Sequence, residues 1–214
     1  MYLTRVFIPW RLCQNPYNWH KRIWDLFPAE SERRNKIKQE KEAIGESIEL
    51  PSYFLFHVEE FQAGKGLTML LQSPDKPDCT GNYQLLNGPN VLSYSWLEDS
   101  CDVHFILTAN PVKMKFADRN RVPHVGELNL VNWLSGKINA FGILSNETLV
   151  TPQAPLFFRK GNSAGKINAV KFEGRMTIAA TETFKQAAFN GIGPAKAFGC
   201  GLLLIKPWSG SGNR

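Results

Sequence analysis

Tyr17 and His20 stand three residues apart, a spacing that makes two side chains neighbours on one face of a helix. Imidazole titrates near neutral pH, so His20 is equipped to take up or release a proton in a reaction. Tyrosine is a poor base at that pH, and Tyr17 more naturally positions a group or donates a hydrogen bond. Position alone also allows a plainer role, because a histidine beside aromatics commonly packs at the edge of a core. Two further stretches suit a phosphate-bearing partner. Gly191, Gly193, Gly199 and Gly201 bracket Lys196, and glycines let backbone N–H groups approach an anion closely. The run lacks a terminal Gly-Lys-Ser/Thr and follows a helix, so it is neither a Walker loop nor a dinucleotide fingerprint. Arg159, Lys160 and Lys166 surround a glycine-containing turn, with Lys171 further along, and basic hairpin tips suit a phosphate backbone. Lys113, Lys115, Arg119 and Arg121 form one more cationic stretch. Ordinary turns and solvated tips also favour lysine and glycine, so none of these runs is specific by itself.

Composition narrows the classes. Lys and Arg outnumber Asp and Glu by 25 to 19, a surplus that permits a polyanionic partner without requiring one. Cys13, Cys79, Cys101 and Cys200 contain no C-x-x-C pair, and His20, His57, His104 and His124 are equally scattered. A zinc site with closely paired ligands is therefore not expected, and the cysteines read as reduced, mostly buried thiols. No apolar run approaches the roughly 20 residues of a membrane helix. The opening Tyr2–Ile8 stretch is strand-like and carries no secretory signal pattern. These features predict a cytoplasmic protein without a membrane partner.

The elements that must position these residues follow from periodicity. Tyr2–Ile8 reads as a first strand, and Asn15-Pro16 as the cap and first position of a helix running to about Phe27. Trp19, Ile23, Leu26 and Phe27 share its apolar arc, with His20 on the margin near Trp24. Residues 29–49 mix both signs of charge and predict a solvated helix or a mobile insertion. Two strands flank Ala63-Gly64-Lys65-Gly66, and Val103–Ala109 is predicted as the strand that closes the first module. In the second half, residues 127–141 predict a helix burying Leu130, Trp133, Leu134 and Ile138. Residues 156–159 and 167–178 predict a strand pair, Thr181–Asn190 a helix stopped by Gly191, and Cys200–Lys206 a last strand. The economical architecture is α+β, with two tandem ferredoxin-like (βαββαβ, RRM-like) domains. The expected domains are 1–115, carrying the catalytic helix, and 116–214, carrying the basic hairpin and the glycine-rich loop.

Several stretches together resemble the CasE family of type I-E CRISPR systems. They are Met1-Tyr2-Leu3, His20-x-x-x-Trp24-x-Leu26-Phe27-Pro28, Phe54-x-Phe56-His57-Val58-Glu59, Leu70-Leu71-Gln72-Ser73, Ala109-Asn110-Pro111-Val112-Lys113, Gly165-Lys166-Ile167 and the block from Gly191 to Leu203. They occur in order from end to end, and the Gly-Ile-Gly-Pro-Ala-Lys-x-x-Gly-Cys-Gly-Leu-Leu run is the most specific. The resemblance implies an endoribonuclease that cuts precursor CRISPR RNA at the base of the repeat stem-loop. The ribose 2′-OH is then the nucleophile, with no metal and no other cofactor, and the products are a 2′,3′-cyclic or 3′ phosphate and a 5′-OH. It further implies His20 as the acid/base residue, Tyr17 or a lysine beside it, and partners in the repeat RNA and the other Cascade subunits. A catalytically inactive RNA-binding cap of the same complex is the alternative. The charged stretch 29–49 is longer than the resemblance leads one to expect.

Overall fold

The computed structural model describes residues 1–48, 50–114 and 121–209, and the chain divides into compact units 1–92 and 93–214. The first unit runs β1 (Tyr2–Pro9), α1 (Trp10–Cys13), α2 (Trp19–Trp24), α3 (Pro28–Ala43), β2 (Leu55–Gln62), β3 (Gly66–Ser73) and β4 (Gln84–Val91). Its four strands lie in the order β2-β3-β1-β4, all neighbours antiparallel, which is the ferredoxin-like order. Val6 and Ile8 alternate inward along β1 and meet Leu67, Met69 and Leu71 of β3, all fully buried. Each such side chain contributes roughly 1.5–3 kcal/mol on burial. Gly64, at φ +80°, allows the tight β2–β3 turn that the Ala63–Gly66 sequence predicts.

The second unit runs β5 (Asp102–Ala109), β6 (Val112–Met114), β7 (Arg121–Pro123), α4 (Glu127–Ile138), β8 (Gly142–Leu144), β9 (Leu149–Pro152), β10 (Leu156–Lys160), β11 (Ser163–Ile167), β12 (Val170–Ile178), α5 (Thr181–Asn190) and β13 (Leu203–Pro207). Its main sheet has the order β13-β5-β12-β8, with β9 also on β12. This is a second ferredoxin-like module, with β10 and β11 as an inserted hairpin. Leu130, Leu134 and Ile138 are buried on α4, and Trp133 lies half-buried against Phe172.

Several elements differ from the sequence prediction. Val103–Ala109 does not close the first module. Its buried residues Val103, Phe105, Leu107 and Ala109 lie on a strand paired with β12 and β13, so it opens the second. The first module is instead closed by β4, an edge strand with no buried residue and hence no alternation to detect. The compact units accordingly meet between Leu92 and Ser93, whereas the sequence places the division at 115/116. Finally, residues 156–160 pair with Ser163–Ile167, and the 170–178 strand joins the central sheet.

Candidate active site and nucleic-acid surface

The Tyr17–His20 segment is not one continuous helix. Asn15 Oδ1 accepts a hydrogen bond from the Tyr17 N–H at 3.1 Å and opens a 3-10 turn over Pro16–Asn18; α2 then begins at Trp19. The Trp19 indole N–H donates to the Cys13 carbonyl at 2.8 Å and its ring meets Phe61 edge-on, fixing the start of α2 in the core. Ile23, Leu26 and Phe27 are buried with it, as the apolar arc predicts. His20 is left on the margin, half-buried, 5.0 Å from the Phe54 ring and 6.1 Å from the Trp24 ring between centroids. Tyr17, on the 3-10 turn, is 40% exposed, so it has room to meet a ligand.

The charged segment forms a helix, α3, and it stands over His20. His20, Trp24, Arg34, Lys38 and Tyr53 line one pocket of about 500 Å³. Arg34 Nε donates to Glu30 at 3.0 Å and its terminal nitrogen to the Pro51 carbonyl at 2.7 Å. The guanidinium also lies 5.4 Å from the Trp24 ring and 5.6 Å from the Tyr53 ring. The His20 imidazole is held below its ordinary pKa, first by burial and then by the charges of Lys38 and Arg34. It is thus neutral at physiological pH and able to accept a proton. Tyr53 is pushed the other way by burial and by its hydrogen bond to Asp75, so it stays protonated. Arg34 and Lys38 escaped the sequence reading because the net charge of residues 29–49 nearly cancels. Their four-residue spacing on a helix was the available signal.

In the second unit, three basic stretches that are separate in sequence converge. Arg121 on β7, Lys166 on β11 and Lys196 of the glycine-rich run line one pocket of about 570 Å³. Phe158 of β10 meets Phe198 at 4.6 Å between centroids, which docks the hairpin onto that run. Burial lowers the pKa of Lys196, which is half-buried. Phe157 faces Lys166 and Arg159 faces Ala164 across the hairpin; these four share one face, and Lys160 lies on the other. Lys113 is exposed on β6, whereas Lys171 is ion-paired to Glu173 at 2.6 Å on the central sheet, away from the turn. Lys115 and Arg119 lie outside the described residues. Two of the four glycines have clear local reasons. A Cβ on Gly193 would stand 2.9 Å from the Trp133 ring, and one on Gly201 would stand 2.9 Å from the Ile192 carbonyl.

Among the described residues no three His, Cys, Asp or Glu side chains gather as a metal site, and no helix is long and apolar enough to cross a membrane. Cys13 and Cys200 are buried, and Cys79 and Cys101 half-buried.

Comparison with known proteins matches residues 1–207 to the family model described as CRISPR associated protein. The chain is 30% identical to the CRISPR system Cascade subunit CasE of Escherichia coli K12, over 97% of this chain and all of the relative. It is 32% identical to the CRISPR-associated endoribonuclease Cse3 of Thermus thermophilus, over 49% of this chain and 56% of that protein. The crystal structure of the CRISPR-associated protein Cas6e from E. coli K-12 superposes with a TM-score of 0.78 at 29% identity, covering 97% of this chain and 100% of that one.

Proposed function

Because this chain belongs to the CasE family of CRISPR-associated proteins, we propose that it is the endoribonuclease that cuts precursor CRISPR RNA and then holds its product within a Cascade complex. The observation that carries the chemistry is His20, half-buried against Phe54 and Trp24 and kept neutral by burial and by the cations of α3.

A neutral imidazole accepts the proton of the ribose 2′-OH upstream of the cut. The 2′ oxygen then bonds to phosphorus as the bond from phosphorus to the 5′ oxygen breaks in line with it. The leaving 5′ oxygen takes a proton from Tyr17, from a lysine or from water, giving a 5′-OH and a 2′,3′-cyclic phosphate. Every bond made and broken is accounted for without a metal. Exposed Tyr17 lies one turn before His20 and is placed to orient the ribose or the leaving group. Arg121, Lys166, Lys196 and the face carrying Arg159 supply charge for the stem-loop, whose A-form major groove is too narrow for base reading along most of its length. The site of action in this reading is the cytoplasm.

Incubation with a stem-loop repeat RNA in excess EDTA tests this directly. Cleavage is expected to proceed in chelator, to leave a cyclic or 3′ phosphate, and to stop when the single ribose upstream of the cut is 2′-deoxy. Strict Mg²⁺ dependence, or efficient cutting of the deoxy substrate, would overturn the proposed nucleophile.

A further inference from the structure

Helix α3 carries part of its charge in ion pairs. Arg33 and Arg34 both bind Glu30, and Lys41 binds Glu46 at 2.7 Å. Arg34 directs its Nε and a terminal nitrogen at protein oxygens and rests on two aromatic rings, with only 15% of its side chain exposed. It therefore ties α3 to the 51–53 segment and to Trp24. Lys38 lies one turn further on the same face, and no hydrogen bond or ion pair engages it among the described residues. It is exposed, and it lines the pocket that contains His20. Asp25 is the one acid among the described residues lining that pocket. Its carboxylate already accepts a hydrogen bond from Tyr83 at 2.6 Å and faces Arg22 at 3.6 Å. An ammonium with no partner among the described residues thus sits beside a neutral imidazole in a space of about 500 Å³, within the range of about 300–1,000 Å³ that holds small ligands.

Resting on the cleavage reaction above, we propose that Lys38 contacts a non-bridging oxygen of the scissile phosphate, and that Arg34 is the positioning residue that holds α3 over His20. The geometry suits the reaction. In-line attack by a 2′ oxygen concentrates negative charge on the equatorial phosphate oxygens, and a compact ammonium meets such charge as a point donor. After burial, the same charge helps to keep His20 unprotonated until it receives the proton of the nucleophile. Lys36, on the same helix, lines the adjoining groove, which does not include His20, and serves as the control for a merely general loss of charge.

The experiment compares parent, Lys38→Ala, Lys38→Arg, Lys36→Ala and His20→Ala in single-turnover cleavage of the stem-loop repeat across pH. It also measures the affinity of each for product RNA ending in a 3′-phosphate or a 3′-hydroxyl. Lys38→Ala is expected to cleave about 10- to 100-fold more slowly, less than the 10²–10³ of a buried oxyanion donor because Lys38 is exposed. The acid limb of its rate profile moves to higher pH, Lys38→Arg recovers part of the rate, and Lys36→Ala stays within twofold of the parent. Lys38→Ala also loses the parent's preference for the phosphorylated product. A Lys38→Ala rate within twofold of the parent, an equal loss in Lys36→Ala, or an unchanged product preference would each overturn the contact. If His20→Ala cleaves as fast as the parent, the acid/base assignment fails alone. A phosphate preference that depends on Lys38 would still stand in that case.

Discussion

The two units handle charge in opposite ways. In the first, one titratable side chain is half-buried against Phe54 and Trp24, and its pKa is depressed first by that burial and then by the nearby cations. In the second, cations are spread over a hairpin, a short strand and a glycine-rich run, mostly exposed, around a pocket of about 570 Å³. Desolvation sharpens electrostatics, so the first arrangement suits proton transfer at one atom. Dispersed exposed charge suits the additive, salt-sensitive grip of a polyanion. Under the proposed function the same module serves once for chemistry and once for binding, and variants can separate the two.

The largest effect is expected from His20→Ala, which breaks the comparison if it touches binding. Loss of a general acid/base costs about 10²–10⁴ in rate. His20 sits on the margin of the core, so truncation removes little packing and stem-loop affinity should be retained. Single-turnover cleavage beside a binding titration checks both; a variant that cuts within a few-fold of the parent removes His20 from the chemistry.

A smaller effect, confined to binding, is expected from replacing Arg159, Lys160 and Lys166 together by alanine. Each single-strand phosphate contact adds about −0.7 to the slope of log K against log salt, so three lost contacts flatten it by about 2 units. The ladder sharpens this. Arg159 and Lys166 share a face and Lys160 lies on the other, so a flat surface engages two of the three and only a groove engages all. Affinity measured at several salt concentrations for the triple variant, for Lys160→Ala and for the Arg159/Lys166 pair tells these apart. Parallel lines would shift the grip to Arg121, Lys196 and Lys113.

How far these features were legible depended on whether a residue's role was local. The apolar arc of α2, the β2–β3 turn and the α5 span with Gly191 behind it are written in neighbouring residues, and the structure has them there. Even so, the N-terminal N–H of α5 donates to Asp99, 82 positions back, and the Thr181 side chain does not cap it. The pairing of β5 with β12 is equally non-local, and Val103–Ala109 shows the same alternation whichever sheet takes it. β4 was invisible because an edge strand exposed along its length has no hydrophobic period. At the site, His20 was picked out by its type, by its spacing from Tyr17 and by the family resemblance, while its aromatic neighbours pointed to packing. Arg34 and Lys38 were not, because counting charges discards the helix face on which they stand.

The smallest effect tests what the glycine-rich run is for. Gly193 has φ +80°, where a residue with a Cβ is strained by about 1–2 kcal/mol, and that Cβ would stand 2.9 and 3.1 Å from two carbons of the Trp133 ring. Trp133 is itself stacked on Phe172 in the sheet, so the ring can yield only by disturbing that packing. Gly193→Ala should therefore lower the stability of the second unit by about 1–2 kcal/mol. If the glycine serves close packing, RNA affinity measured well below the melting transition stays within twofold and the salt slope is unchanged. If it serves close approach of the backbone to a phosphate, affinity falls although the protein remains folded. Urea melts beside a binding titration distinguish the outcomes, and the crowding against Trp133 favours the first. The grip of the second unit would then lie in its cations, with the glycines only shaping the surface that displays them.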